Sequence, residues 1–180
     1  MANAFGYQIL KDDTQHAVIK LTGKFDGTGQ EANAVRIQAN TLSGALATNG
    51  FPIANSQGGS ANTSLRYHGL KLFRLWYDCA SSGDVELSWT VDKGATGNTS
   101  IVFLNGNGEY DGAGNWITID NDTASLATSN GNIGVFTRGM AANDSYTMIL
   151  ELRKDNAHYS RGQFRDPAAF NYGTHNTITP

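Results

Sequence analysis

The sequence predicts an all-β protein: an antiparallel β-sandwich, with a jelly roll as the expected topology and an extended C-terminal arm. Three observations carry this expectation. Apolar and polar residues alternate with period two in roughly nine short runs, the mark of strands with one face on a core. Clusters of Gly, Asn and Asp separate the runs, and Gly alone numbers 21 among 180 residues. Helical periodicity is nearly absent. A chain of this length fits one domain and can bury about 70% of its unfolded surface without staples.

The first two runs fall at 5–11 and 17–23. In the second, Ala17, Ile19 and Leu21 share one face and Val18, Lys20 and Thr22 the other. Asp26 and Gly27 supply the chemistry of a tight connection with positive φ. A third run at 34–39 is expected to point Val35 and Ile37 inward. From 40 to 65 the period is lost among Ser, Asn, Gly, Ala and Thr, and a connection of that length marks either an interface loop or a surface excursion. At 70–77 both faces are apolar: Lys71, Phe73, Leu75 and Tyr77 oppose Leu70, Leu72, Arg74 and Trp76. That strand is central, or its outer face meets a partner. The run at 85–91 puts Val85, Leu87, Trp89 and Val91 on a core and the alternate residues in water. Runs at 101–104, 116–119, 133–137 and 146–153 complete the set.

The sandwich is expected over residues 1–155, with 156–180 as an arm rather than a second domain. The arm carries Tyr159, Arg161, Phe164, Arg165, Phe170 and Tyr172, residue types that anchor interfaces. Asp166 can cap, and Pro167 can open, a short turn over 166–170. Trp116 alternates against Ile117 and Ile119, so it is read as outward, toward a sugar or another subunit. The competing reading wraps the arm over its own sheet.

Composition excludes several classes. Thirteen Lys plus Arg against sixteen Asp plus Glu give a net charge of −3 with no basic cluster, so no nucleic-acid partner is expected. The apolar runs are too short for a membrane helix, so no membrane partner is expected. One cysteine, Cys79, excludes an internal disulfide framework, and no charged-then-apolar leader follows Met1. The expectation is a soluble protein made in a cytosol. His16, His68, His158 and His175 are scattered without metal-ligand spacing. Asp12-Asp13, Asp120 and Asp122 read as solvated turn residues. Asn107, Glu109 and Asp111 imitate the start of a calcium loop, but Thr118 stands where a bidentate Glu is required. With no nucleophile elbow and no base beside Cys79, no catalytic residue, metal or cofactor is expected, and the chain is read as no enzyme.

Three segments carry a family resemblance: Met1-Ala2-Asn3-Ala4-Phe5-Gly6-Tyr7; Val18-Ile19-Lys20-Leu21-Thr22-Gly23-Lys24-Phe25-Asp26-Gly27; and Asp155-Asn156-Ala157-His158-Tyr159 with Phe164-Arg165-Asp166-Pro167-Ala168-Ala169-Phe170-Asn171-Tyr172. Through them the chain resembles small virion structural proteins of tailed phages that infect marine bacteria and cyanobacteria. The resemblance implies a non-enzymatic component of the virion, assembled in the host cytoplasm. Its partners would be other virion proteins, the major capsid protein first, and further copies of itself. A capsid decoration or cement protein suits a compact β domain with a clasping arm. The alternative is a tail, neck or fibre-associated protein that binds host glycan through exposed aromatics. A hydrolase on a sandwich scaffold ranks last, for want of a catalytic constellation.

Overall fold

The computed structural model describes residues 2–32, 34–45, 69–91, 99–111, 117–118, 129–154 and 159. Within them the chain forms β1 (Ala4–Asp12), β2 (His16–Lys24), β3 (Ala34–Ile37), a single 3-10 turn (Ala39–Thr41), β4 (Leu70–Cys79), β5 (Asp84–Val91), β6 (Thr99–Leu104), β7 (Asn107–Asp111), β8 (Ile117–Thr118), β9 (Ser129–Arg138) and β10 (Ser145–Lys154). One sheet runs β1-β2-β10-β4-β7, with β8 also on β4, and the other runs β3-β9-β5-β6. All pairings among them are antiparallel. The predicted all-β, two-sheet architecture is therefore the observed one.

Alternation builds the core. Ala17, Ile19 and Leu21 of β2 and Tyr146, Met148, Leu150 and Leu152 of β10 point to one side of the first sheet. Val85, Leu87 and Trp89 of β5 and Ile133 and Val135 of β9 belong to the same buried cluster, and Trp89 is 1% exposed. Such a continuous apolar layer between two sheets supplies most of the driving force for folding.

The departures from simple alternation have local causes. In β4, Glu151 pairs with Arg74 but Leu152 pairs with Leu72, so Phe73 is an extra residue. The bulge changes the phase: Leu70 and Leu72 point inward before it, Leu75 and Cys79 after it. This is why the sequence shows two apolar faces on a strand that is in fact central, between β10 and β7. The guanidinium groups of Arg153 and Arg74 lie over the Phe73 ring at 4.2 and 5.1 Å. In β3 the register shifts between Val35 and Ile37, which turns Ile37 inward and leaves Val35 exposed, correcting the expectation that both face the core. Ser88 and Thr90 of β5, expected in water, are buried as well, so this strand is closed on both faces at those positions. The stretch 107–111, outside the nine expected runs, is a strand because Glu109 and Asp111 pair with Trp76 and Arg74.

Candidate functional site

β1 closes one edge of the first sheet, and its first eight residues are all exposed. Phe5, Tyr7 and Ile9 lie opposite Gly23, Leu21 and Ile19 of β2, so their side chains leave the sheet on its core-facing side. The second sheet does not extend far enough to cover them. Its edge strand β3 has four residues, and from it the Arg36 guanidinium sits 4.2 Å from the centre of the Phe5 ring. Phe25 meets Phe5 edge-on at 5.7 Å. Beyond that contact the stripe is open: Phe5 is 37% exposed, Tyr7 43%, Ile9 45% and Leu10 48%.

Edge strands normally carry charges, prolines or bulges that stop a second chain from adding to them. On β1 these devices sit at the far end, where Leu10 is a bulge residue and Lys11 and Asp12 follow. From Ala4 to Ile9 there is neither charge nor proline. The near end is anchored by Asn3, whose side-chain amide donates to the Gly29 carbonyl at 3.1 Å and whose side-chain oxygen accepts from the Asp26 N–H at 2.8 Å.

Among the described residues two buried charged groups sit elsewhere, and both are engaged. The Glu31 carboxylate, 1% exposed, accepts from the Tyr146 hydroxyl at 2.6 Å and from Arg36 Nε at 2.6 Å. Burial first, then the Glu31 charge, pushes the Tyr146 phenol well above its ordinary range, so it remains a donor. Lys154 Nζ bonds to the Asp12 carboxylate and donates to the carbonyls of Asp13 at 2.5 Å and Ser43 at 2.7 Å, which uses all three ammonium hydrogens. Asp12 is thus no solvated turn residue, as its sequence position suggests, but the counter-charge of a buried lysine. Asp13 keeps the turn role, accepting from the N–H groups of Gln15 and His16. Cys79 is buried as expected, and burial followed by the charge of Asp78 pushes its thiol up to about 12.

Of the residues singled out as interface contacts, Trp116, Arg161, Phe164, Arg165, Phe170 and Tyr172 lie outside the described residues, as does the turn expected over 166–170. Tyr159 lies within them and is corrected. It is 1% exposed inside its own chain, its hydroxyl donates to the Ala39 carbonyl at 2.8 Å, and its backbone bridges to Ala45. Its ring completes the core and is not presented to a partner. Asn107, Glu109 and Asp111 sit at alternate positions of β7, and no group of three metal-ligating side chains occurs among the described residues. A shallow depression of about 430 Å³ crosses the β1 end of the first sheet at Gly6, Thr22, Lys24 and Thr147. Among the described residues Lys24 is the one charged side chain lining it.

Sequence reasoning missed the β1 stripe. Its signal was present, since Phe5, Tyr7 and Ile9 alternate with Gly6 and Gln8, but that pattern is the same for a covered strand. It also missed Trp76 as an exposed tryptophan: at 38% exposure, in a cross-strand row with Lys20, Ile149 and Glu109, it stands on the outer face of the first sheet. Compared with protein-family models, curated proteins and solved structures, the chain matches none.

Proposed function

We propose that this protein is a non-enzymatic virion structural component, a capsid decoration or cement protein that stabilises a shell by contacts between subunits. The observation that carries the proposal is the β1 edge: a strand without charge or proline from Ala4 to Ile9 that exposes an apolar stripe of Phe5, Tyr7 and Ile9. Exposed apolar strips of this kind mark contact surfaces. Two of the three segments behind the family resemblance overlap β1 and β2, the outermost strands on this side.

The strand order adds support. Leaving β1 and β8 aside, β2-β10-β4-β7 lies against β3-β9-β5-β6. This order arises when an antiparallel ribbon pairing β2 with β10, β3 with β9, β4 with β7 and β5 with β6 rolls up so that β4 meets β10 and β5 meets β9. It favours a jelly roll, an architecture used by viral capsid and lectin domains. The step from that architecture to a virion role is analogy at the level of fold and adds weight only beside the edge strand.

The test is recruitment. Purified protein added to shells that lack it should co-sediment at a fixed stoichiometry and raise their melting temperature. Shells that neither bind it nor gain stability would overturn the reading. A second reading, a tail, neck or fibre-associated protein binding host glycan, is favoured by the exposure of Trp76, beside the earlier candidate Trp116. Trp76→Ala would then abolish retention on a host-glycan array, and labelling would place the protein at the tail.

A further inference from the structure

We propose that two copies of this chain pair antiparallel through β1, with the two-fold axis at Tyr7, so that their six-stranded sheets merge into one. This rests on β1 being the assembly edge and names its partner. Pairing satisfies the free backbone groups of both edges with the same chemistry. An axis perpendicular to the sheet also keeps the two apolar stripes on the same side.

The register follows from the side chains. Centred on Tyr7, Phe5 of each copy stands opposite Ile9 of the other and Tyr7 opposite Tyr7, so every apolar side chain of the stripe meets an apolar one. Centred on Gln8, Phe5 would face Lys11, and Ala4 would face Asp12, whose carboxylate Lys154 already holds. Centred on Gly6, Ile9 would face Asn3, whose side chain is committed to Gly29 and Asp26. In the Tyr7 register Lys11 and Asp12 fall beyond the paired stretch, so no like charges meet.

The other edges suit self-pairing less. β7 carries Glu109 and Asp111, and β3 has four residues and a bulge. β6 is neutral, but a register shift interrupts it and its apolar residues divide between faces, Phe103 opposite Glu86 and Val102 opposite Leu87. A single strand pair with its stripe falls at the small end of specific interfaces, about 1,200 Å² in total, so the pairing should be reversible and dependent on protein concentration.

Sedimentation equilibrium on the full chain should show a monomer–dimer equilibrium, and Tyr7→Lys should shift it to monomer with an unchanged circular dichroism spectrum. Under mild oxidation Tyr7→Cys should give a covalent dimer, since facing strand residues lie within disulfide reach and native Cys79 is buried. Phe5→Cys and Ile9→Cys should each give no covalent dimer alone and cross-link when mixed. A wild-type chain that stays monomeric, or a Tyr7→Cys chain that fails to cross-link, would overturn the pairing. Shell recruitment separates the two readings. A dimer that shells ignore sinks the virion role and leaves the pairing intact, whereas a monomer recruited through β1 sinks the pairing alone.

Discussion

Asp12→Ala should be among the most damaging single changes outside the apolar core, and the reason lies with Lys154. The Lys154 side chain has no solvent exposure and Asp12 only 15%, so removing the carboxylate leaves an ammonium in the interior with two carbonyls as its remaining acceptors. Breaking a buried pair from one side costs about 3–5 kcal/mol. The residual exposure of Asp12 and the two surviving carbonyl bonds place this case near the lower end, about 3 kcal/mol. Lys154→Met leaves the carboxylate, which retains a path to water, so its cost should be smaller, about 1–2 kcal/mol. The double variant should recover most of the loss, because an apolar pair of similar volume replaces a buried ion pair at little cost. Urea unfolding followed by tryptophan fluorescence gives all three values and their coupling energy. Lys11→Ala, which removes the exposed partner of Asp13, is the control and should cost under about 1 kcal/mol. If Asp12→Ala costs no more than Lys11→Ala, the buried-pair argument is wrong.

Tyr146→Phe removes a 2.6 Å donor from the buried Glu31 carboxylate and should cost about 2 kcal/mol in the same assay, with no change in the unfolding slope m. Tyr159→Phe, which leaves the Ala39 carbonyl only the longer 3.4 Å bond from the Leu42 N–H, should cost about 1 kcal/mol, and Tyr159→Ala about 4 kcal/mol, the loss expected for a core aromatic; a near-zero cost for Ala would return this ring to the surface. Asp13 gives a pH signature. Burial alone would raise its carboxyl, but the N–H groups of Gln15 and His16 together with Lys11 hold it well below its ordinary 3.8. A depressed folded value contributes stability above the unfolded one that is lost as pH falls through the folded one, so the advantage of wild type over Asp13→Asn should shrink below about pH 4. With Asp13 41% exposed, screening keeps that advantage under about 1 kcal/mol, and a difference independent of pH would refute the assignment.

Strand existence was legible in the sequence because period-two alternation survives in any strand with one face on a core. Nine runs were readable, and their boundaries moved by a few residues at most. What alternation could not show was a change of phase. Phe73 and the shift between Val35 and Ile37 each insert a residue that reverses the faces, and nothing in the composition marks them. Charge is similarly opaque: Lys154 and Glu31 belong to types that are almost never fully buried, so a sequence reading places them in water. Only the fold brings Asp12 to Lys154, 142 positions away. Tyr159 was misread for a related reason. An aromatic in an aperiodic segment has the composition of an interface anchor, and only the fold, which buries the ring and bonds its hydroxyl to the Ala39 carbonyl, shows that it closes its own core.

β1 can be understood only by asking what its side chains do for the isolated domain. The eight-strand order that supports a jelly roll is complete without it, and it contributes no residue to the buried core. A strand that faces water beyond the Phe5 contacts with Phe25 and Arg36 would be expected to carry Lys, Thr and Glu, which protect an edge from unwanted addition. Instead it carries Phe5, Tyr7, Ile9 and Leu10, and it is fixed at both ends, by Asn3 at the start and by the Asp12–Lys154 pair at the finish. Fixing a strand before it meets a partner lowers the ordering cost of pairing. The buried lysine and the exposed stripe therefore belong to one arrangement: the first clamps the edge to the end of β10, and the second gives the clamped edge something to bind. On this argument Asp12→Ala should weaken self-association as well as folding, even though Asp12 lies outside the paired register.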